Sequence, residues 1–243
     1  MKLVISHPPD TFEAQIVSRE KRFIIHARDH DGRTFLAHTN NSGSMVGLVR
    51  EGRKALFSTS SNPNRKLPCT LEAIRVDDMW VGVNTSTPNR MLAAVMRCPS
   101  MREEFGLCGY HTFTPEKRSG ASRFDGRLEG YGSPTCWLEA KNVTLVEEEV
   151  AYFPDAATER GRKHLLELAT LAAAGYRAGI FCLVQRTDGR CFAPADFIDP
   201  LFAAALYAGI DAGVEVWPYV AHVDEHGIAL GERLPLAPRP CCP

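Results

Sequence analysis

The sequence lacks several common signatures. Its eight cysteines, at 69, 98, 108, 136, 182, 191, 241 and 242, include no Cys-x-x-Cys pair, so neither a zinc ribbon nor a regular disulfide framework is written into them. Most read as reduced packing residues, and Cys241-Cys242 as a feature of an exposed tail. No apolar run approaches the ~18 residues of a membrane span, and 44% hydrophobic with 23% charged residues over 243 positions is ordinary for a soluble globular protein. The opening Met1-Lys2-Leu3-Val4-Ile5-Ser6 stops at His7-Pro8-Pro9 without the apolar core of a signal peptide, which places the expected location in the cytoplasm.

There is also little charge of either sign in excess, the formal net charge being only -1, which argues against a strongly basic nucleic-acid binder. The balance is uneven, however. Residues 1–90 carry 13 Lys+Arg against 9 Asp+Glu, and residues 91–243 carry 15 against 20. A basic front half beside an acidic back half suits a phosphate-binding surface next to a carboxylate metal site; two solvated surfaces of unequal charge would look the same.

The front half reads as short strands, Phe23 to Ala27, Thr34 to His38, Lys54 to Ser58 and Met79 to Val83, separated by the turn signals Asp31-Gly32, Asn40-Asn41-Ser42-Gly43 and Ser61-Asn62-Pro63-Asn64. Strands at this spacing predict a small barrel. A helical stretch, Met91 to Met96, leads on to strands at His111 to Pro115, Ser122 to Leu128 and Cys136 to Leu145. A helix follows over Ala156 to Ala174, with Asp155 as its expected N-cap, Gly175 as its stop, and Leu165, Leu168, Ala169 and Ala172 on one face. Ala178 to Val184 reads as a strand covered on both faces. Asp199-Pro200 opens a helix to Ala212, Val214 to Val220 is the last expected strand, and residues 235–243 read as a loose tail.

The chemistry concentrates in Trp137-Leu138-Glu139-Ala140-Lys141. A period of two puts Trp137, Glu139, Lys141 and Val143 on one strand face, so two charges interrupt an apolar stripe. Charges there must pair with each other or coordinate a metal. Asp125, on the preceding strand, folds back beside Glu139 through the Glu129 to Thr135 turn. An Asp followed by Glu-x-Lys on the adjacent strand resembles the arrangement of the PD-(D/E)xK nucleases. Two carboxylates can hold a hard Mg²⁺ or Mn²⁺ against a phosphate, and Lys141 can activate water or offset developing charge. Glu116 is a candidate third metal ligand. The pattern is short, and a Glu139–Lys141 ion pair on an exposed sheet edge would also produce it.

Arg160, with Arg162, Lys163 and His164 at one helix end, can face a phosphate, or Arg160 can clamp Glu139 or Asp155. Lys21, Arg22, Arg65, Lys66 and Arg90 lie in or beside turns of the expected barrel, where they can track a nucleic-acid backbone, with Asn62 and Asn89 adding hydrogen bonds. With aromatic residues at 9%, stacking partners are few, which favours phosphate contact over base reading. His222 to His226 and Gly126 to Gly132 read as a loop and a hairpin turn rather than as a zinc site and a dinucleotide loop.

Phe153-Pro154-Asp155-Ala156, Thr158-Glu159-Arg160-Gly161 and Lys163-His164-Leu165 follow the Glu-x-Lys strand in order. This string resembles the signature of the sugar fermentation stimulation protein A (SfsA) family. Asn41-Ser42-Gly43, Ser58-Thr59-Ser60, Arg65-Lys66 and Asn84-Thr85 extend the resemblance through the front half, with Asn40 and Ser42 departing from the usual Pro and Thr. It implies a two-domain α+β / α/β chain. An N-terminal OB-like barrel (residues 1–90) would bind nucleic acid, a PD-(D/E)xK-like mixed sheet flanked by helices (residues 91–234) would follow, and 235–243 would be a tail. DNA is the implied partner. The leading expectation is a DNA-binding protein with a Mg²⁺- or Mn²⁺-dependent nuclease site formed by Asp125, Glu139 and Lys141. The alternatives are a non-catalytic regulator of sugar-utilisation genes that keeps a nuclease-like fold, and a protein-binding adaptor. No obligate protein partner and no oligomeric state can be read from the residues.

Overall fold

The computed structural model describes residues 4–120 and 122–239, which leaves Met1 to Leu3 and Cys241-Cys242 outside the described residues. The chain begins with β1 (Val4–Ser6), β2 (Thr11–Glu20), β3 (Ile24–Arg28), β4 (Thr34–His38), β5 (Lys54–Thr59), β6 (Cys69–Val76) and β7 (Met79–Gly82). Six of these form one sheet in the order β4-β3-β2-β5-β6-β7. β4 also pairs with β6 at Ala37↔Cys69 and His38↔Thr70, so the sheet curls back on itself. Its inward residues, among them Ile16, Ile25, Phe57, Leu71 and Ile74, form a core of their own. The four expected strands are present. β2 and β6 are not evident from the pattern: β6 buries Thr70 and Glu72 among its apolar residues, and β2 buries only Ala14 and Ile16 of its ten.

Next come α1 (Thr87–Arg97), α2 (Pro99–Glu104), β8 (Thr112–Ser119), β9 (Ser122–Gly130), β10 (Ser133–Val143), β11 (Leu145–Glu147), β12 (Val150–Phe153), α3 (Glu159–Ala173), β13 (Arg177–Val184), β14 (Cys191–Pro194), α4 (Pro200–Asp211), β15 (Glu215–Val223) and β16 (Gly227–Arg233). A seven-stranded sheet runs β1-β16-β15-β13-β10-β9-β8, parallel at its centre and antiparallel on both flanks. β1 thus pairs outside the barrel-like sheet. Helices α3 and α4 cover one face through Leu165, Leu168, Phe202 and Leu206. α1 covers the other through Met91, Leu92 and Val95, against Leu138, Phe181 and Trp217. Each such buried side chain contributes about 1.5–3 kcal/mol, which is why the central strands read as continuous apolar runs. β11, β12 and β14 make a small third sheet.

Asp155 does not cap α3. Thr158 does, its Oγ1 accepting from Gly161 N at 3.0 Å. Asp155 is used elsewhere, accepting from Met45 N at 3.0 Å. Gly175, at φ +86°, does end the helix. Asp199 caps α4 through Phe202 N at 2.9 Å and also accepts from Thr158 N at 2.8 Å, tying the two helix starts together. The expected tail is not loose as far as it is described, since Phe192 N donates to Pro235 O and Ala237 N to Phe192 O. The six described cysteines are free thiols, and burial pushes Cys136 and Cys182 up to about 12. Among the described residues no helix is long and apolar enough to cross a membrane.

The barrel-like sheet is joined to the second sheet by specific polar contacts. Gly82 N donates to Gln185 O at 3.0 Å, and Trp80 Nε1 to Glu225 Oε1 at 2.8 Å. Gly43 packs directly on Asp155: a Cβ there would lie 2.3 Å from Asp155 Oδ1.

Candidate functional site

The β9–β10 hairpin turns at Tyr131-Gly132 and pairs Leu138 with Gly126, which brings Asp125 and Glu139 to the end of the ladder on neighbouring strands. Period-two alternation then sends Trp137, Glu139 and Val143 towards the α3 side, and Leu138 towards α1. Glu139 is only 4% exposed. Its Oε1 accepts from Lys141 Nζ at 2.6 Å and from His164 Nδ1 at 2.6 Å. A carboxylate oxygen can only accept, so Nδ1 carries the proton. Burial alone would push the Glu139 carboxyl up, but Lys141 and the His164 hydrogen bond outweigh it and hold the group below its ordinary value. The exposed-edge ion pair is therefore not what forms here.

Glu139 Oε2 is buried and has no hydrogen-bond partner. An orphaned polar atom of this kind costs about 1–3 kcal/mol, more when charged, so it marks a place where a cationic or donor group fits. Asp125 stands beside it, its Oδ1 accepting from Asn89 Nδ2 and its Oδ2 from Ala140 N, both at 2.8 Å. Burial and the charge of Glu139 push the Asp125 carboxyl up, and those two hydrogen bonds offset part of the rise. Two neighbouring carboxylates, one whose ionisation the other makes costlier and one with a bare oxygen, form a donor set suited to a hard dication.

Asp125, Glu139 and Lys141 share a cleft of about 420 Å³ with Arg22, Asn89 and Arg160, so six residues singled out from the sequence come together. Among the described residues Arg160 makes no ion pair, so it clamps neither Glu139 nor Asp155. The other candidates lie elsewhere. Lys21 pairs with Glu20 at 3.1 Å, and Arg90 donates to Ser6 O at 2.8 Å in an adjoining hollow. Arg65 donates to Thr70 Oγ1 at 2.8 Å and stands with Lys66 and His38 around a separate depression; Asn62 closes an Asx turn with Asn64 N. Glu116 does not join Glu139: it is exposed, at φ +51°, and its carboxylate pairs with Arg123 at 3.1 Å. Among the described residues no three His, Cys, Asp or Glu side chains gather as a complete metal cage.

Three supports of the cleft lie outside the residues that the sequence pattern singles out for it. The sequence pattern places His164 in a basic helix end, yet it lies on the buried face with Leu165 and Leu168, and that position is its available signal. Asp155, a cap by its position in the sequence, instead holds the 43–45 backbone through Met45 N. Arg19 fans under the 41–44 loop, donating to the carbonyls of Arg22, Ser44, Asn41 and Gly43 at 2.8–3.1 Å. In the same wall, Asn40 Nδ2 donates to Asn84 Oδ1 at 2.7 Å, and Asn40 Oδ1 accepts from Thr85 N at 3.0 Å.

Two family models match the chain. Residues 86–227 match the sugar fermentation stimulation protein RE domain, and residues 17–83 the SfsA N-terminal OB domain. A sugar fermentation stimulation protein homolog of Syntrophobacter fumaroxidans is 54% identical over 95% of this chain and 87% of its own length. One of Maridesulfovibrio salexigens is 48% identical over 96% and 97%. The solved structure of Pyrococcus furiosus SfsA in complex with Ca²⁺ aligns with a TM-score of 0.88 at 25% identity, over 98% of this chain and 99% of that one. With both halves matched and close relatives along nearly its full length, the chain belongs to the SfsA family.

Proposed function

We propose that the cleft is a divalent-cation site at which bound DNA is hydrolysed, in a PD-(D/E)xK-like arrangement. The observation that carries this is the buried, unpartnered Oε2 of Glu139 beside Asp125. SfsA of Pyrococcus furiosus is known in complex with Ca²⁺, and we carry a divalent cation to this cleft. Asp125 and Glu139 would hold it. Two carboxylates without a full protein cage suit Mg²⁺ or Mn²⁺, which complete their shell with waters and substrate phosphate. The ion, when bound, supplies Lewis acidity towards a phosphate oxygen and a more acidic water.

The rest is the work of the chain. Lys141 and His164 both grip Oε1, which keeps Glu139 ionised and leaves Oε2 without a donor from the protein. Asn89 and the Ala140 amide fix the Asp125 carboxylate with one donor on each oxygen. Lys141 has donors to spare and can meet charge developing on the phosphate. Arg22 and Arg160, both in the cleft lining, can grip backbone phosphates. The setting that fits DNA as the partner is the cytoplasm.

The test is an assay of supercoiled, linear and single-stranded DNA with Mg²⁺ or Mn²⁺. Cleavage lost in Glu139→Gln supports the reading; intact substrates under all conditions, or an active Glu139→Gln, overturn it. Binding without cleavage would favour the second reading, a non-catalytic DNA-binding regulator of sugar-utilisation genes. The observation on its side is that Arg65 and Lys66 stand apart from the cleft.

A further inference from the structure

A second hollow, of about 520 Å³, adjoins the cleft. Asn89 and Asp125 line both, so their 2.8 Å hydrogen bond forms the divide. The two hollows differ in chemistry. The cleft is lined with charges and amides, whereas Ala93 and Ala94 of α1 face Phe113 and Pro115 of β8 across the second hollow, giving it largely apolar walls. The Phe113 ring is held in place by Gly126, where a Cβ would come within 2.7 Å of Phe113 Cε2. Any side chain at 126 would therefore displace the ring that walls the hollow beside Asp125.

Two cations rim these apolar walls. Arg90 and Arg97 lie two helical turns apart on the same face of α1. Each spends one donor locally, on Ser6 O and Ala93 O, and among the described residues neither is paired with a carboxylate. Glu116 also borders the hollow, but its charge is met by Arg123. Flat apolar walls with an aromatic ring accept a nucleobase, and guanidinium groups at the rim accept the phosphates on either side of its sugar. Because Asp125 lines both, the hollow lies directly beside the place where a phosphate would react.

We propose that this hollow receives the nucleoside next to the phosphate held at Asp125 and Glu139, and that this nucleoside is unpaired. A base stacked and paired in a duplex keeps its faces and pairing edge covered and must leave the stack to reach such walls. The preferred substrate is accordingly single-stranded DNA or a duplex frayed at the point of cleavage. The assignment rests on the metal-cleft reading, and its test separates the two.

The test is equilibrium binding, in Ca²⁺, of a short single-stranded DNA and of its blunt duplex to full-length protein. Ala94→Trp fills the hollow and is expected to weaken single-strand binding about ten-fold, with a much smaller change for the duplex. Arg97→Ala, at an exposed side chain, decides the matter if the tryptophan variant does not fold. It should reduce the single-strand slope of log K against log salt by about 0.7 and leave the duplex slope as in wild type. Equal effects on both DNA forms, or none on either, overturn the assignment. Failure of the metal-cleft reading shows elsewhere: Ca²⁺ and Mn²⁺ would then leave the melting temperature of the wild type unmoved, however the two DNAs rank.

Discussion

Each of the two main sheets buries one glutamate, and the contrast between them separates structure from chemistry. Glu72 of β6 is 3% exposed and Glu139 of β10 is 4% exposed, so burial does not distinguish them. Their oxygens do. Glu72 Oε1 accepts from Ser58 Oγ at 2.6 Å and Oε2 from Asn84 Nδ2 at 2.7 Å, so both oxygens are satisfied by neutral donors. Glu139 has two donors crowded on Oε1 and none on Oε2. A satisfied buried carboxylate strengthens its own sheet, as Glu72 does by tying β5 to the chain after β7. One with a bare oxygen is held at a cost for something that arrives later.

The largest effect that could break this comparison is on chemistry. Glu139→Gln should remove DNA cleavage while melting close to wild type; a nicking time course beside a thermal melt reads both. Next in size is the reverse experiment. Glu72→Ala leaves Ser58 and Asn84 without their acceptor and should cost about 1–3 kcal/mol, a fall of roughly 2–4 °C in Tm per kcal/mol for a chain of this length, with cation binding unchanged. If it lost cation binding instead, the division of labour between the two glutamates would be wrong.

His164→Gln sharpens the comparison from the side of the supports. It cannot reproduce the ring's contact with Oε1, and cation affinity should fall about 10–100-fold, read by calorimetric titration. A merely structural role would lower Tm and leave that affinity alone.

How far these features were legible in the sequence follows the same line. Glu139, Lys141 and Asp125 could be found because strand alternation and one hairpin set them side by side, both of them local rules. The Asp199-Pro200 cap was local too. His164 meets Glu139 across 25 residues, and nothing in a helical pattern says what the far side of a buried face touches. Asp155 and Thr158 are both good caps, and the competition was settled by Met45 N and Gly43, which belong to the other sheet. Glu116 stands directly after its expected strand, but φ +51° there carries its carboxylate to Arg123. Small strands such as β11, β12 and β14 carry too few residues for alternation to show.

The smallest effect concerns pH. Burial raises the Asp199 carboxyl, but hydrogen bonds from Thr158 N and Phe202 N outweigh this and leave it below its ordinary value. A depressed carboxylate contributes stability above its unfolded pKa and loses it as pH falls through the folded one. Asp199→Asn should therefore cost about 1 kcal/mol at neutral pH and narrow the gap to wild type in acid, as seen in Tm against pH.

Calorimetric titration of Ca²⁺ and Mn²⁺ into wild type, Glu139→Gln and Glu72→Gln tests the central claim most directly. Saturable binding in wild type and Glu72→Gln, with none in Glu139→Gln, is the predicted result. Undiminished binding in Glu139→Gln would contradict the assignment of the bare Oε2 to a cation.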